Sequence, residues 1–450
     1  MKVFSRLWAV LCAVLFIGGA NAAVQGVFAH YMVGGMSSIS QALDDVSQAQ
    51  SLGLDAFALN VQQPDAWWTR ASLAFLFDAA SQVGFKLFFS MDMAVIPSPS
   101  ACSPLLAEYA SHPAYYRYQD RPFLSTFRGG AAADANKQWQ TVFEDLNPKP
   151  YFVPNFEDHS SAHAGVYSPS IFTAFPDVDG LMGWETAWPF QGTNETVTAP
   201  DQSPDAANLA VTRNKKMAYM MPLSTFQSKH LAQHGNWFRR GGLTLPQHML
   251  QALSLQADFL EVLTWNDAGE GHYFGNLWPE SIPDQDMGDL VDGWDHNGWR
   301  AVIGPFVAAL KKEGVTGAEG VGPVGKEVAG AFWYRPLLKG VECGKDRLGL
   351  GKPDGWEDAE DMVYVVVMLG RETAGVKVRV VSGGKVVGEF EGKPGMNMYQ
   401  VDARKGEQTV QVVAGDGKVL GEGKGKVGVT DRLEDVGGIC TFNYQVVEIV

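Results

Sequence analysis

The stretch Asp258-Phe259-Leu260-Glu261-Val262-Leu263-Thr264 is followed directly by Trp265-Asn266-Asp267-Ala268-Gly269-Glu270-Gly271-His272-Tyr273. The first part is mostly apolar, which is typical of a strand covered on both faces. The chain then becomes abruptly polar and places two carboxylates three residues apart among aromatic rings, an amide and an imidazole. A solvated acidic loop after a core strand is one interpretation of this pattern. A functional site at the mouth of a buried strand is the other.

Similar strand-like runs recur upstream, and helix-length segments with apolar residues at helical spacing lie between most of them. The eight predicted strands are Val27–Val33, Ala56–Val61, Lys86–Met93, Pro122–Phe127, Tyr151–Asn155, Gly180–Trp184, Ala218–Ser224 and Phe259–Thr264. The predicted helices are Ile39–Ser51, Ala71–Val83, Leu105–Ala110, Ala135–Leu146, Asn208–Lys216, Leu245–Leu255 and, after the eighth strand, Trp299–Lys312. Eight strands alternating with helices predict an α/β fold, a (β/α)8 TIM barrel over residues 23–325.

Enzymes with this fold carry their chemistry at the carboxyl ends of the strands. Asp92 ends the third predicted strand, and the Asp267/Glu270 pair follows the eighth, so the three carboxylates are expected to converge. Asp92 could instead be a helix N-cap, although Met93-Ala94-Val95-Ile96-Pro97 does not resemble a helix start. Asn60 ends the second strand, and further candidate binding residues follow the sixth, namely Trp184, Glu185 and Trp188. Paired carboxyls beside aromatic faces suit glycoside hydrolysis, in which an acid protonates the leaving oxygen, a base activates water and rings stack on sugars.

The N-terminus predicts a secreted protein. Lys2 and Arg6 precede the apolar run Leu7–Ile17, and Ala20-Asn21-Ala22 resembles a cleavage site, so residues 1–22 are predicted to be a signal peptide. The apolar run is shorter than the roughly 20 residues that span a bilayer. The formal net charge is −15, and losing Lys2 and Arg6 would make it −17. Such an acidic chain argues against nucleic-acid and anionic-membrane partners, and we expect a monomer acting on a neutral polysaccharide outside the cell or in the cell wall.

Three of the four cysteines remain after the predicted cleavage, which removes Cys12. Cys343 and Cys440 lie in the same C-terminal region and are expected to form a disulfide, which leaves Cys102 free. The sequon Asn194-Glu195-Thr196 predicts N-glycosylation at Asn194. No cluster of residues with metal-ligand spacing stands out, so no metal is expected.

After about residue 325, valines alternate with polar residues in short runs separated by glycine turns. The runs are Val376–Val381, Lys385–Phe390, Tyr399–Val401 and Thr409–Val413. This pattern predicts an antiparallel β-sandwich over residues 326–450. Such a domain either binds polysaccharide or braces the barrel, and bracing is the default expectation.

Four motifs carry a resemblance to a known family. They are Phe28-Ala29-His30-Tyr31-Met32-Val33-Gly34, Phe88-Phe89-Ser90-Met91-Asp92-Met93, Arg121-Pro122-Phe123-Leu124-Ser125-Thr126-Phe127 and Thr264-Trp265-Asn266-Asp267-Ala268-Gly269-Glu270-Gly271-His272-Tyr273. Together they resemble the fungal α-1,3-glucanases, the mutanases of glycoside hydrolase family 71, from about Val27 to the C-terminus. The resemblance implies a barrel with a C-terminal sandwich, hydrolysis of α-1,3-glucan with inversion, no cofactor, and essential carboxylates at Asp92, Asp267 and Glu270. The chain departs from the family pattern at Thr225-Phe226, Ala268 and Gly271, which affects subsite shape more than chemistry.

Inversion requires an acid and a base on opposite faces of the scissile bond. The sequence prediction takes Glu270 as acid and Asp267 as base, with Asp92 tuning its neighbours or holding a sugar hydroxyl; the alternative gives Asp92 one of the two roles. The remaining residues of the motifs are predicted to bind substrate, and they are His30, Trp265, Asn266, His272 and Tyr273. Two other functions stay open: a glycosidase of different specificity on the same barrel, and a secreted polysaccharide-binding protein without catalysis.

Overall fold

The computed structural model describes residues 24–188, 203–371 and 375–450. The predicted signal peptide and Asn194 lie outside these residues. The core is a curled parallel sheet of eight strands, which we label β1 to β8 in chain order. They are Gly26–Met32 (β1), Ala56–Val61 (β2), Lys86–Asp92 (β3), Arg121–Phe127 (β4), Tyr151–Phe152 (β5), Gly180–Met182 (β6), Ala218–Ser224 (β7) and Phe259–Leu263 (β8).

The strands pair in the order β5-β4-β3-β2-β1-β8-β7-β6, all parallel, and the short strand Arg117–Tyr118 pairs antiparallel to β4. Strands β5 and β6 form no ladder with each other. Two single hydrogen bonds join them instead, from Asp179 N to Phe152 O at 2.8 Å and from Met182 N to Pro154 O at 2.9 Å. The assigned strands five and six are shorter than predicted. Backbone bonds to β4 nevertheless continue past Phe152, from Val153 N to Leu124 O at 2.9 Å and from Asn155 N to Thr126 O at 3.1 Å.

Helices connect these strands on the outside of the sheet. They are Ile39–Ser51 (α1), Trp67–Val83 (α2), Ser103–Tyr109 (α3), Ala135–Glu144 (α4), Ile171–Ala174 (α5), Pro204–Arg213 (α6), Thr244–Leu255 (α7), Gln285–Val291 (α8) and Arg300–Leu310 (α9). Helix α1 begins at a capping box in which the Ser38 side chain accepts from Gln41 N, as its sequence predicts. Helix α2 begins four residues earlier than predicted.

Alternation along the strands fills the concave side of the sheet. Because side chains point to one face at every second residue, Phe88, Ser90 and Asp92 of β3 form a column from the floor to the mouth. The floor is aromatic: Phe88 lies edge-on to Phe28 at 4.8 Å, and Phe123 lies edge-on to Phe259 at 5.0 Å. Above this apolar floor, the charged residue of the β3 column, Asp92, lies at the carboxyl end of its strand.

The C-terminal region contains two four-stranded antiparallel sheets. One consists of Gly395–Asp402, Met362–Leu369, Val328–Tyr334 and Gln445–Glu448, and the other of Lys385–Glu391, Lys377–Ser382, Gln408–Val413 and Val419–Lys424. Valines from both sheets share one core with Phe332. The opposite face of the first sheet, including Trp333, packs with the core of the parallel sheet and α9. The first of these sheets is therefore covered on both faces, and the C-terminal region is attached by packing rather than by a linker alone.

The predicted cysteine pair is joined in this region. Cys343 and Cys440 form a disulfide with a Cα separation of 5.8 Å, and Cys102 is a buried free thiol. Burial raises the pKa of Cys102 to about 12, so its thiolate, the reactive form of a cysteine, is disfavoured. The described residues contain no helix that is long and apolar enough to cross a membrane.

Candidate active site

The carboxyl ends of the parallel strands open into a cleft with a volume of about 480 Å³. Seven of the residues predicted from sequence line it: His30, Asn60, Asp92, Trp184, Glu185, Asp267 and Glu270. The other lining residues are Met32, Gln62, Phe127, Gln227, Lys229, Trp237, Arg239, Thr264 and Gly269. The three carboxylates that the sequence places at the ends of β3 and β8 therefore share one cleft.

Asp267 and Glu270 are held by a single tight turn. Residues Ala268–Glu270 form one turn of 3-10 helix, and Asp267 caps it by accepting from Glu270 N at 3.2 Å. The backbone of Asp267 is fixed in turn, because its N–H donates to Thr264 Oγ1 at 3.0 Å. The turn gives both side chains access to the cleft within three residues.

The two carboxyls differ in their electrostatic surroundings. Burial, and then the neighbouring Glu270, raise the pKa of Asp267 to about 8, although Lys229 and two backbone N–H groups act in the opposite direction. Glu270 contacts a cation directly, with Lys229 Nζ 3.1 Å from its Oε1, and Gln227 Nε2 donates to its Oε2. The turn therefore presents one carboxyl whose pKa is raised, Asp267, and one that is paired with a lysine, Glu270.

Asp92 is the third carboxyl, at the end of β3. It is buried and accepts from Ala94 N at 3.1 Å and from Gln62 Nε2 at 3.3 Å. Burial raises the pKa of Asp92, and these donors together with the charge of His30 counteract that rise. Its bonds to Ala94 close a local turn rather than a helix N-terminus. Asp92 therefore lies in the cleft as an acid of raised pKa.

A buried dyad lies beneath the carboxylates, and sequence reasoning found only half of it. His30 Nδ1 contacts Glu261 Oε1 at 2.6 Å, and both side chains are buried. Among the described residues, His30 Nε2 and Glu261 Oε2 have no hydrogen-bond partner. His30 lines the cleft at its buried end, with its ring edge-on to Trp184. The signal for Glu261 was present in the sequence, as a lone acid inside an otherwise apolar strand.

One wall of the cleft is a β-hairpin that sequence reasoning missed. Strands Gln227–Leu231 and Gly235–Arg239 follow β7 and pair antiparallel. The Arg239 guanidinium lies 4.5 Å from the centre of the Trp188 ring and 3.1 Å from Glu185. The ammonium of Lys229 lies 5.8 Å from the centre of the Trp237 ring. The hairpin adds two cations and an indole ring to the cleft, and it covers Trp188 with Arg239.

Glu157, also unpredicted, supports the adjoining wall that carries Trp184 and Glu185. Its carboxylate accepts from Trp184 N at 2.8 Å and from Glu185 N at 3.1 Å. Burial raises its pKa to about 7. Trp184 lies against Phe127, with ring centres 4.8 Å apart, and edge-on to His30. Glu157 therefore fixes the backbone that carries the Trp184 ring.

The structure does not bring the remaining predicted residues into the cleft. Trp265 is fully buried and donates from Nε1 to Asp45 at 3.0 Å. The Asn266 side chain accepts from Met32 N at 2.8 Å and donates to Met32 O at 3.1 Å. His272 contacts Ser224 Oγ at 2.9 Å, and Tyr273 stacks on His296. Burial lowers the pKa of His272 well below its usual range, which keeps the ring neutral. These side chains, together with Trp188, pack behind the cleft surface, because the tight turn directs only Asp267 and Glu270 outward.

The described residues contain no group of three or more His, Cys, Asp or Glu side chains arranged to hold a metal ion.

The family model for glycosyl hydrolase family 71 matches residues 23–450. The chain belongs to this family. It is 32% identical over 412 residues to a mutanase of Penicillium rubens, covering 90% of this chain and 85% of the relative. It is 30% identical over 391 residues to a glucan endo-1,3-alpha-glucosidase of Schizosaccharomyces pombe, covering 83% and 84%.

Among solved structures, a GH99 endo-alpha-mannosidase from Bacteroides thetaiotaomicron aligns with a TM-score of 0.45 and 13% identity, covering 64% of this chain and 98% of that one. Membership of family 71 rests on the sequence match alone. It identifies the chain as a glycoside hydrolase. Four carboxyl side chains line its cleft, those of Asp92, Glu185, Asp267 and Glu270.

Proposed function

We propose that this protein is a secreted hydrolase that cleaves α-1,3-glucosidic bonds within α-1,3-glucan. The observation that carries the proposal is the Asp267/Glu270 turn, which places two carboxyls in the same cleft, one of them with a raised pKa and the other paired with Lys229. Glycoside hydrolysis needs this combination. The linkage comes from the relatives, a mutanase and a glucan endo-1,3-alpha-glucosidase, which together with the family model span nearly the whole chain.

We assign the general acid to Asp267 and the base to Glu270, the reverse of the sequence prediction. A general acid must carry its proton at working pH, and the pKa of Asp267, about 8, meets that requirement. Glu270 is the other carboxyl of the turn, and its contacts with Lys229 and Gln227 hold it in a fixed position from which it can activate water. Sequence spacing alone could not distinguish the two roles, because the deciding charge comes from the hairpin.

Asp92 is proposed to hold the sugar ring rather than to transfer the first proton. It lies on β3, at the end of the column of Phe88 and Ser90, and Gln62 donates to it. With an acid and a base on the same turn, a third carboxylate can accept a sugar hydroxyl across the cleft. Inversion at the anomeric carbon is part of this proposal, with a water molecule activated by Glu270 attacking opposite the bond that Asp267 protonates.

The closed architecture belongs to the same proposal. The two hydrogen bonds from Asp179 and Met182 to the chain after β5 support closure of the curled sheet into a (β/α)8 barrel over residues 23–325. The core shared by the two antiparallel sheets supports a β-sandwich over residues 326–450. Such an enzyme would act as a monomer outside the cell or in the cell wall, without a cofactor, after loss of residues 1–22.

The test is incubation with insoluble α-1,3-glucan, β-1,3-glucan and starch, with the released oligosaccharides separated by size. Release of oligosaccharides from the α-1,3-glucan alone is expected, and a mixture of lengths at early times indicates cleavage within chains. Release from only one of the other glucans would assign a different specificity to the same cleft. Binding without release from any of them would identify a non-catalytic polysaccharide-binding protein.

A further inference from the structure

The hairpin that carries Lys229 is fixed from outside the parallel sheet. Asn236, near its tip, donates from Nδ2 to three successive carbonyls of the C-terminal region, those of Leu350, Gly351 and Lys352, at 3.2 to 3.4 Å. Phe238 N donates to Asp354 O at 2.8 Å, and Asp354 N donates to Asn236 O at 3.0 Å. The loop over residues 346–354 therefore backs the hairpin along its outer strand.

The centre of this support is a buried contact between a histidine and an aspartate. His230 Nε2 lies 3.1 Å from Asp346 Oδ2, and both side chains are almost fully buried. His230 Nδ1 lies 2.7 Å from Asn236 Oδ1, and the amide nitrogen of Asn236 donates to the carbonyls named above. The imidazole therefore links an oxygen of the hairpin to an oxygen of the C-terminal region through its two ring nitrogens.

Asp346 is in turn tied to both ends of the disulfide. Its Oδ1 accepts from Cys440 N at 2.9 Å, and its own N–H donates to Cys343 O at 3.0 Å. Its Oδ2 also accepts from Leu350 N at 2.8 Å. These backbone donors and His230 lower the pKa of Asp346 despite its burial. The carboxylate therefore connects the disulfide, the 346–354 loop and the hairpin in one node.

Resting on the proposed function, we propose that Asp346 and the Cys343–Cys440 disulfide are positioning elements of the active site, which act through the hairpin to hold Lys229 against Glu270. The path from the node to the cleft is short. Asp346 contacts His230, and Lys229 is the residue directly before His230 in the chain. Lys229 Nζ lies 3.1 Å from Glu270 Oε1. Gln227, on the same strand, donates to the other oxygen of Glu270. The C-terminal region thereby completes the catalytic cleft instead of only bracing the fold.

This role predicts effects that a merely structural one does not. Lys229 draws the pKa of Asp267 downward, so displacing Lys229 raises that pKa, and the basic limb of the pH–rate profile moves to higher pH. Misplacement of catalytic groups by about 1 Å can cost about 100-fold in rate. We therefore expect Asp346→Asn to lower kcat by roughly 10- to 100-fold and to shift the basic limb upward.

Two variants and a control form the experiment. Asp346→Asn removes the charge of the node, and Asn236→Ala loosens the hairpin without altering a charge. Asp361→Asn is the control, because the Asp361 side chain pairs with buried Arg335 and accepts from Lys339 N, and neither residue belongs to the hairpin. Measured for each are kcat and KM on soluble α-1,3-linked oligosaccharides, the pH profile, and hydrogen exchange of peptides covering 227–239. In Asp346→Asn and Asn236→Ala, kcat should fall, the basic limb of the pH–rate profile should move to higher pH, and hydrogen exchange of the hairpin should become faster. The control variant should leave all three quantities unchanged.

A readout without substrate separates this inference from the proposed function. Titration of the Asp267 carboxyl, followed by carbon-13 NMR with aspartate labelling and assigned through Asp267→Asn, should move to higher pH in Asp346→Asn and in Asn236→Ala. That movement in an enzyme inactive on α-1,3-glucan would support the positioning role and refute the proposed substrate. Faster hairpin exchange with an unmoved Asp267 titration and unchanged kcat would overturn the positioning role. If Asp346→Asn does not fold, Asn236→Ala carries the same test.

Discussion

If Asp267 is the general acid, its substitution should matter only for substrates whose leaving group needs a proton. Substitution of Glu270, the proposed base, should matter for all substrates. With a pKa of about 8, roughly nine in ten Asp267 carboxyls are protonated at pH 7, and above pH 8 that fraction falls about tenfold per pH unit. Hydrolysis of glucan should follow the same fall on its basic limb. Asp267→Asn should cost roughly 10²- to 10⁴-fold in turnover of glucan, which corresponds to about 3 to 5 kcal/mol of transition-state stabilisation.

The assay compares glucan with an α-1,3-linked oligosaccharide that carries fluoride at its reducing end. Fluoride departs without a proton, so the acid is dispensable while the base is still needed. Asp267→Asn should therefore hydrolyse the fluoride within about tenfold of the wild-type rate and without the basic limb, because proton donation contributes little to that step. Glu270→Gln should be slow on both substrates, since neither reacts without an activated water.

The reverse pattern would refute the reasoning: a Glu270→Gln enzyme active on the fluoride and an Asp267→Asn enzyme inactive on it would return the roles to those predicted from sequence. Equal losses in both variants on both substrates would mean that the pair acts as one unit and that neither carboxyl is a dedicated acid. Folding of both variants is checked by thermal unfolding, which should change little, since each substitution keeps the shape of the side chain.

Three further outcomes test the remaining roles. Reducing ends released early should be β-anomers by proton NMR taken before mutarotation, whereas initial α-anomers would indicate retention. Azide should restore turnover to Glu270→Ala but not to Asp92→Ala, because a small anion can replace a base but not a group that holds the sugar; rescue of the Asp92 variant instead would make Asp92 the base. Asp45→Ala should lower the free energy of unfolding, measured in urea titrations, by about 3–5 kcal/mol. The reason is that Asp45 accepts from four buried or half-buried donors, among them Trp265 Nε1 and Trp278 Nε1. A loss under about 1 kcal/mol would show that those donors find other partners.

The course of the parallel sheet was predictable because its signals are local. Strands β2 and β7 begin and end at the predicted residues, and helix α1 matches its predicted span. Periodic apolar patterns report burial directly. Strands β5 and β6 are shorter than predicted because apolar residues continue past the last ladder pair, and an apolar pattern does not show which backbone groups pair regularly.

The positions of the carboxylates followed from topology, whereas the directions of individual side chains in the loop after β8 did not. Parallel strands deliver their carboxyl ends to one edge, so Asp92 and Asp267 had to approach each other once the strands were placed. From the sequence, Trp265 was as plausible a cleft residue as Trp184, because both are aromatic and follow a strand. In the structure, Asp45, 220 residues earlier, accepts a hydrogen bond from the Trp265 indole N–H, and the ring lies in the core. A sequence pattern shows which residues follow a strand, but the partner that selects the face of each can lie anywhere in the chain.

The acid and base roles proposed for Asp267 and Glu270 depend most strongly on such distant partners. Both acids sit on one turn, three residues apart, and their intrinsic chemistry is nearly the same. Lys229 distinguishes them by pairing with Glu270 at 3.1 Å, and the hairpin that carries Lys229 is held through His230 by Asp346, 116 residues further along. The surroundings of the proposed catalytic pair are therefore a property of the assembled protein, because the hairpin and the C-terminal loop together hold Lys229 against Glu270.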